Sequence, residues 1–548
     1  MVAGGSPGQP PESCDLVVIG GGIHGAAAAW EAASRGVRTV VLEARDFGGA
    51  TSANSLRTIH GGIRYLQTLD VARMRTAVRE RRALLRIAPH LVRPLECVMP
   101  TYRGSGKSAP ALRAGLLLND LLSADRNSSL ASERRIPAGS MMSAQSLAAK
   151  APALRDDRIT GGARWFDAQA HDTERLVLSF VLSAVRAGAW ASNHCPVTGL
   201  IIEDGRVAGV CAEDRRSGEP VEIRAGAVVD CTGPWAGRHE WRAQFGGRWA
   251  RGMNLVLRRP VADCALGVLP AAGTTGANRL LFIAPWRDGC IAGTWYERDD
   301  GDPRELRVEA AAVEGALAQL DSVLPELRLG LRDVTQVHLG VLPATGEEAH
   351  GEPVLESHPR IEAATDGPRG LYVVCGVKYT TARHVAECTI DRLAQNGLIH
   401  AGASVSARVP LYGGNFPAGP DAWRQVCHER YGARLPAATL SRLADHYGTR
   451  LDRIMELAER DPSLAAEVPG CPQAVCAELE HAVADEMAWT LGDVLQRRTG
   501  IASCALPNDR TIASVADFMA ARLGWDDARR SAEINALREA FPPWAETR

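Results

Sequence analysis

The segment from Asp15 to Glu43 constrains the fold of this chain more than any other. DLVVIG is a continuously apolar run rich in β-branched residues, which is typical of a strand buried on both faces. The glycine-rich GGGIHG and an alanine-rich helical pattern follow, and VRTVVLE then predicts a second buried strand that ends in Glu43. A strand, a glycine turn, a helix, a strand and an acidic residue in this order predict a Rossmann-type dinucleotide-binding unit.

Four residues of this unit are candidates for holding the dinucleotide. Gly20, Gly22 and Gly25 form the G-x-G-x-x-G pattern, which allows a tight turn and a close approach of the backbone to a pyrophosphate at a helix N-terminus. The Glu43 carboxylate can accept hydrogen bonds from ribose hydroxyls. The structural alternative is a Rossmann unit that has lost its ligand.

The composition is that of a globular protein with a sizeable core. Hydrophobic residues make up 46% of the 548 residues and charged residues 23%, which excludes disorder as the main state. A formal net charge of −2 argues against a dedicated nucleic-acid binder, because such a domain is usually clearly basic. No apolar run approaches the roughly 20 residues of a membrane-spanning helix, so only peripheral membrane contact stays open.

The cysteines and the N-terminus bear on the cellular compartment. The 13 Cys include neither a C-x-x-C pair nor a Cys/His cluster at zinc spacing, which predicts reduced thiols in a cytoplasmic protein without a metal site. Residues 1–12 carry Gly and Pro but no basic or apolar segment. They are predicted to be a flexible tail and not a signal peptide.

Two further parts follow the dinucleotide unit. Short apolar runs alternate with turn residues at 251–296, as in an antiparallel sheet, and a substrate-binding part is predicted mainly at about 85–160 and 250–360. We therefore expect an α/β domain over 13–408 with discontinuous cofactor- and substrate-binding subdomains. An all-helical domain is expected over 409–548, with helices at 421–431, 440–446, 451–458, 474–486 and 512–523.

The string TSANSLRTIHGGIRYL at 51–66 is long and specific. Here the sequence resembles the FAD-dependent glycerol-3-phosphate dehydrogenase family of DAO-type flavoproteins, whose members carry T-S-x-x-S-x-x-x-H-G-G-x-R-Y-L after the acidic residue. Further matches are TGPW at 232–235, IAPW at 283–286, K-x-T-T-x-R at 378–383 and a helical signature at 482–500. The resemblance implies an FAD-dependent oxidoreductase acting on a CH–OH group.

The resemblance adds cofactor residues to the four of the glycine unit. Small hydroxyl side chains after the second strand would face an extended FAD, although a capped helix start would also explain them. Adjacent glycines would let the backbone approach a flat ring. The added cofactor residues are Thr51, Ser52, Ser55, Gly61, Gly62, Val197, Thr232, Gly233, Gly376, Thr380 and Thr381.

The implied reaction is hydride transfer from a secondary alcohol to the flavin, which needs a base and an anion site. His60 is the candidate base, because imidazole titrates near neutral pH. Arg64 would bind the anionic end of the substrate bidentately, and Lys378 would stabilise the alkoxide and the reduced flavin. Tyr65 is a candidate hydrogen-bond donor to the substrate. The structural alternatives are a core histidine and solvated surface cations.

The substrate half departs from the family pattern. The family has G-V-R-P-L where this chain has GVLPA at 340–344, so Leu342 replaces an Arg expected to bind the substrate phosphate. Trp295 follows Gly293-Thr294, where the family has G-T-T-D, and Arg383 closes the K-x-T-T-x-R motif. We expect Trp295, Leu342 and Arg383 in the substrate site, and a hydroxy substrate that differs from glycerol 3-phosphate. Arg251, Arg287 or Arg298 could instead replace the guanidinium.

Other functions and partners stay open at this stage. The alternatives to a dehydrogenase or oxidase are a non-catalytic flavin-binding protein and an amine or amino-acid oxidase of the same fold. The electron acceptor is quinone or oxygen, and the resemblance leaves open a homodimer and peripheral contact with the inner face of the membrane. A nucleic-acid partner is not expected.

Overall fold

The computed structural model describes residues 8–103, 109–236, 248–270, 280–349, 352–364 and 367–547. Of the tail predicted at residues 1–12, residues 1–7 lie outside the described part. In chain order the described strands are β1 Ser13–Ile19, β2 Thr39–Leu42, β3 Thr58–Ile59, β4 Val92–Tyr102, β5 Ser140–Ser143, β6 Ile159–Ala170, β7 Trp190–Ser192, β8 Val197–Glu203, β9 Arg206–Asp214, β10 Glu219–Asp230, β11 Arg248–Leu257, β12 Ala265–Val268, β13 Leu281–Trp286, β14 Gly289–Arg298, β15 Val334–Ala349, β16 Glu352–Leu355, β17 Arg360–Ala363, β18 Leu371–Cys375, β19 Glu467–Val468 and β20 Cys471–Val475.

The α-helices of the same residues follow in chain order. They are α1 Ile23–Ser34, α2 Val71–Ile87, α3 Ala109–Leu122, α4 Ala144–Lys150, α5 Thr173–Arg186, α6 Ala310–Asp321, α7 Ala382–Gln395, α8 Pro420–Tyr431, α9 Ala437–Tyr447, α10 Leu451–Arg460, α11 Cys476–Asp485, α12 Asp509–Leu523 and α13 Asp527–Glu539.

The first sheet carries the glycine-rich turn. Its order is β17-β18-β10-β1-β2-β7, and the strands from β18 to β7 are parallel, while the β8–β9 hairpin extends β10. β1 lies between β10 and β2, and its Leu16, Val17 and Val18 are fully buried, as a strand covered on both faces requires. Helix α1 packs between α5 and α7. The chain therefore reaches the carboxyl end of β1 and enters α1 through Gly20–Gly22.

The second sheet has the order β16-β15-β11-β14-β13-β12-β4-β6-β3, with β5 paired to β6. All its neighbours are antiparallel except β12 and β4, which run parallel. The register pairs Ala250 of β11 with Leu342 of β15. Residues of this sheet and of the first one line a common cavity, and the predicted α/β class with an antiparallel substrate sheet is confirmed.

The C-terminal part differs from the all-helical expectation. Helices α8 to α13 form it, but the β19–β20 hairpin lies between α10 and α11. The helix predicted at 474–486 begins at Cys476, because Ala474 and Val475 belong to β20 and the Glu478 side chain caps the helix by accepting from the Val475 N–H at 3.0 Å. Helix α13 was not predicted, since its sequence is mostly charged and only Glu533 and Leu537 are buried.

Buried ion pairs join this C-terminal part to the first sheet layer. Arg498 Nη1 lies 2.6 Å from Asp46 Oδ2, and Arg175 Nη1 lies 2.6 Å from Glu486 Oε2. His194 Nε2 lies 2.9 Å from Asp493 Oδ2. All these side chains are buried, so the Asp46–Arg498 and Glu486–Arg175 charges compensate each other, and the His194–Asp493 hydrogen bond satisfies two further polar groups.

Candidate active site

The cavity between the two sheets has a volume of about 2180 Å³, which exceeds the roughly 300–1,000 Å³ of ordinary ligand pockets. An extended dinucleotide and a second small molecule can share a space of this size. The structure brings most of the predicted site residues to its wall: Gly20, Gly22, Glu43, Thr51, Ser52, Ser55, His60, Gly62, Arg64, Tyr65, Val197, Thr232, Gly233, Leu342, Gly376, Lys378, Thr380 and Thr381.

The glycine turn fits an FAD pyrophosphate. Gly25 lies behind the wall, where a Cβ would come within 1.8 Å of the Gly20 carbonyl oxygen, so α1 approaches β1 as closely as the fingerprint requires. Glu43 Oε2 accepts from the Gly21 N–H at 2.6 Å and Oε1 from the Arg45 N–H at 2.9 Å. Burial raises the pKa of Glu43, and those two hydrogen bonds oppose the shift.

Hydrogen bonds of Ser52 and Thr51 connect the segment after β2 with the first turn of α1 and with β15. Ser52 Oγ accepts from the Ile23 N–H at 2.9 Å, which satisfies a donor in the first turn of α1. Thr51 Oγ1 donates to the Val341 carbonyl at 3.1 Å and accepts from its N–H at 3.0 Å. This pair of bonds holds Leu342 of β15 beside the segment that follows the glycine unit.

His60 is oriented by a carboxylate that the sequence did not indicate. Its Nδ1 lies 3.2 Å from Asp167 Oδ2 in β6, while Asp167 Oδ1 accepts from the Gly61 N–H at 2.6 Å and from Arg81 Nη1 at 2.8 Å. Burial raises the pKa of Asp167, but the His60 hydrogen bond, the nearby positive charges and the Gly61 N–H outweigh it and leave the pKa at about 2. The ionised carboxylate has only lone pairs, so Nδ1 carries the hydrogen and Nε2 is the basic nitrogen of the neutral ring.

Gly61 has a different role from the one predicted. It does not line the cavity, and a Cβ there would lie 2.1 Å from Arg81 Nη1. The absence of a side chain makes room for the buried guanidinium and not for the flavin ring. Gly62 remains at the wall.

The cations of the site gather around Tyr65. The Lys378 ammonium donates a hydrogen bond to the Tyr65 hydroxyl. Burial lowers the pKa of Lys378 to about 7, and the charge of Arg64 contributes to this shift. Lys378 can therefore change its protonation state near neutral pH, and a bound anion would favour its charged form.

Two predicted substrate residues lie outside the cavity. Trp295 points to the other face of β14, where its Nε1 donates to Gln319 Oε1 of α6 at 2.9 Å. Arg383 is buried in α7 and pairs with Glu80 of α2, with Nη2 and Oε1 2.6 Å apart. Both predictions are wrong, because each side chain has a structural partner away from the site.

The three arginines considered as replacements for the guanidinium at position 342 are also paired elsewhere. Arg251 contacts Glu297 and Glu309, Arg287 contacts Asp172, and Arg298 contacts Asp300. None of the three lines the cavity.

Asp167, Asn254 and Arg73 also line the cavity, although the sequence does not single them out as site residues. Asp167 and Asn254 each lie in a strand without a recognisable motif, and Arg73 lies in an arginine-rich helical pattern of the kind that usually faces solvent. Asn254 Oδ1 accepts from the Thr294 hydroxyl at 2.7 Å, and its Nδ2 donates to the Asn54 carbonyl at 3.1 Å. Only the position of Asp167 and Asn254 in space, opposite the glycine segment, identifies them.

Comparison with protein families defines the class of protein. The family model described as FAD dependent oxidoreductase matches residues 15–392. The model of the C-terminal domain of alpha-glycerophosphate oxidase matches residues 404–530. The chain is an FAD-dependent oxidoreductase, and the glycine turn, Glu43 and the volume of the cavity fit that cofactor.

Individual relatives identify the family within this class of oxidoreductases. A glycerol-3-phosphate dehydrogenase of Synechocystis is 30% identical over 547 residues and covers 96% of both chains. One of Mycobacterium leprae is 31% identical and covers 96% of this chain and 88% of its own length. The structure of the Bacillus halodurans glycerol-3-phosphate dehydrogenase complexed with FAD shares the fold, with a TM-score of 0.75, 24% identity and coverage of 96% and 94%. The chain belongs to the FAD-dependent glycerol-3-phosphate dehydrogenase family.

The helices of the described residues bear on whether this part of the chain crosses a membrane. Among them, no helix combines the length and the apolar character needed to cross a bilayer.

Proposed function

We propose that this protein oxidises the secondary alcohol of a small anionic hydroxy compound, and that this compound differs from glycerol 3-phosphate at the end that faces Leu342. The observation that carries the proposal is a single cavity that holds the His60–Asp167 pair and the cations Arg64 and Lys378. A bound FAD supplies the two-electron acceptor for the hydride. The protein supplies the base and the anion site.

The base in this proposal is His60. Its Nε2 accepts the proton of the substrate hydroxyl, and the Asp167 carboxylate stabilises the imidazolium that forms. The C–H bond of the carbinol carbon then breaks with its electron pair, and the product is a ketone. Lys378 stabilises the negative charge that develops on the substrate oxygen.

The substrate difference rests on Leu342 and on the apolar wall near His60. Leu342 offers no donor to an anion, and Met99, Leu112 and Phe282 also line the cavity. The Phe282 ring lies edge-on to the His60 ring, with their centroids 5.6 Å apart. A hydroxy compound with an alkyl or aryl substituent would bury apolar surface there, at about 0.8 kcal/mol for each CH₂ group.

Anaerobic bleaching of the flavin tests this proposal. The holoenzyme is mixed with glycerol 3-phosphate, with glycerol, and with hydroxy phosphonates and hydroxy carboxylates that carry alkyl groups of increasing length. We expect an alkyl-substituted anion to bleach the flavin faster than glycerol 3-phosphate does. Fastest bleaching by glycerol 3-phosphate would contradict the proposed substrate difference. If none of these alcohols bleaches the flavin, the proposed substrate class is contradicted, which leaves an untested substrate or the non-catalytic alternative.

We also propose that helix α3 lies on a membrane surface, at the inner face, and that a quinone takes the electrons. The exposed fractions of Leu117 and Leu121 are 65% and 73%, and Leu69 nearby is 76% exposed. On its other side α3 contributes Leu112 and Leu116 to the cavity wall, so the apolar surface is continuous with the site. Such an exposed patch is typical of an interaction with lipid or protein.

Vesicle sedimentation tests the membrane proposal. Leu117→Ser with Leu121→Ser should reduce binding to vesicles of anionic phospholipid, while Ile202→Ser, at an exposed position of β8, should not. Equal binding by the two variants would contradict it. Faster reoxidation of the reduced flavin by oxygen than by a soluble quinone would contradict the proposed acceptor.

A further inference from the structure

Three cationic side chains of the cavity wall surround the ring of Tyr65. Lys378 Nζ lies 4.4 Å from the ring centroid, and the guanidinium carbons of Arg73 and Arg64 lie 4.5 Å and 6.0 Å from it. Lys378 follows β18, Arg64 belongs to the HGGIRYL segment, and Arg73 lies in the first turn of α2. Three separate parts of the chain thus bring positive charge to one end of the cavity.

These three cations lack acidic partners within the part of the chain that the structure describes. No described carboxylate forms an ion pair with Arg64, Arg73 or Lys378, whereas the buried Arg57, also on the cavity wall, pairs with Glu174. Asp70 acts electrostatically on Arg73, but its carboxylate caps α2 by accepting from the Arg73 backbone N–H at 3.0 Å. Asp70 attracts the Arg73 charge but forms no ion pair with its guanidinium.

Repulsion from Arg64 disfavours the charged forms of Arg73 and Lys378. Burial lowers the pKa of Arg73, and Arg64 lowers it further, against the attraction of Asp70. Arg64 has the same effect on Lys378. Gathering unpaired positive charges in a partly desolvated cavity costs free energy, and a bound anion removes that cost.

The geometry of α2 directs the side chain of residue 73 toward Arg64 and Tyr65. Helical side chains point toward the N-terminus of their helix, so a residue in the first turn reaches back over the segment that precedes it. That segment contains Arg64 and Tyr65. Leu342, on the cavity wall at β15, provides no charge.

We propose that Arg73 binds the anionic group of the substrate together with Arg64 and Lys378, and replaces the guanidinium contact that is lost at Leu342. The identity of this group as part of a substrate rests on the proposed function. Two guanidinium groups and one ammonium match a doubly charged phosphoryl or phosphonyl group better than a single carboxylate. The substrate class is therefore a phosphorylated or phosphonylated secondary alcohol whose anion lies toward α2.

Isothermal titration calorimetry of the holoenzyme with inorganic phosphate tests the site without turnover. Arg73→Gln is compared with Arg79→Gln, a change of the same charge on the exposed face of the same helix and away from the cavity. We expect Arg73→Gln to raise the dissociation constant by about 10-fold to 100-fold, the usual loss for one charge-assisted contact. Arg79→Gln should change it less than about twofold, as a distant exposed charge does.

The outcomes separate this inference from the proposed function. Equal phosphate affinity of Arg73→Gln and the wild type would overturn the inference, even if the wild type oxidises an alcohol. A selective loss in Arg73→Gln supports the anion site, even if no alcohol bleaches the flavin. Arg73→Lys, which keeps the charge but not the bidentate geometry, should show an intermediate loss. Flavin content and the thermal unfolding midpoint of each variant identify any loss that is due to misfolding.

Discussion

Replacing Asp167 with Asn tests how the protein controls the proton of His60. Asp167 Oδ1 accepts from the Gly61 N–H and from Arg81, so an Asn would keep its carbonyl oxygen on those two donors. The amide NH₂ would then face His60 Nδ1 and donate to it. The neutral ring would carry its hydrogen on Nε2 and could no longer accept the substrate proton.

The expected magnitudes follow from this geometry. Loss of the base removes most of what general base catalysis contributes, so the rate of flavin reduction should fall by about 10²-fold to 10⁴-fold. The same change leaves the buried Arg81 without a counter-charge, which should lower the free energy of unfolding by about 3–5 kcal/mol. The two effects have different causes and can be separated.

The assay is anaerobic stopped-flow reduction of the flavin, run beside urea unfolding of the same variants. Asp167→Asn with Arg81→Met removes both buried charges, so it should recover much of the stability and none of the reduction rate. A double variant that regains the wild-type rate would show that Asp167 acts only through stability. Wild-type reduction by Asp167→Asn itself would refute the assignment of His60 Nε2 as the base.

Three further predictions concern other residues of the site. The pKa of Lys378 is lowered to about 7 in the folded chain, so between about pH 7 and pH 10 the unfolded chain binds more protons than the folded one, and stability rises with pH across that window. Lys378→Met should therefore unfold at higher urea than the wild type at pH 6, and the difference should shrink toward pH 10. Arg383→Gln leaves the buried Glu80 unpaired and should cost about 3–5 kcal/mol of unfolding free energy, while substrate KM stays unchanged. Leu342→Arg should lower the KM for glycerol 3-phosphate by about 10-fold or more in steady-state assays, since a guanidinium on β15 adds one charge-assisted contact to those of Arg64, Arg73 and Lys378.

Contiguous motifs were the predictable part of this protein. The spacing of the glycine turn and Glu43 predicts where those residues lie, and the resemblance to the family predicts the place of the His60–Tyr65 segment. Asp167 was not predictable because it is 107 residues from His60, and their contact depends on the pairing of β3 with β6. An aspartate within a strand has no local pattern that distinguishes it.

The errors have equally local causes. Thr294 and Trp295 are adjacent in β14, and side chains alternate between the faces of a strand, so Thr294 lines the cavity and Trp295 packs toward α6. Arg383 was placed in the site because a motif contains it, but its position in α7 directs it to Glu80. Arg73 shows the opposite difference between pattern and structure. An arginine-rich helix face is usually solvated, but the Arg73 side chain lines the cavity.

The ion pair between Asp46 and Arg498 bears on how the protein is made. The two residues are 452 positions apart, and Asp46 belongs to the wall of the flavin cavity. At about 5–20 residues per second, the ribosome needs about 20–90 s to synthesise the chain between them. Throughout that interval Asp46, in the part of the chain already synthesised, has no Arg498 to pair with. Until then the Asp46 side chain has, among the described residues, only the Asn193 amide as a partner, so we expect this edge of the cavity wall to reach its final arrangement only near the end of translation.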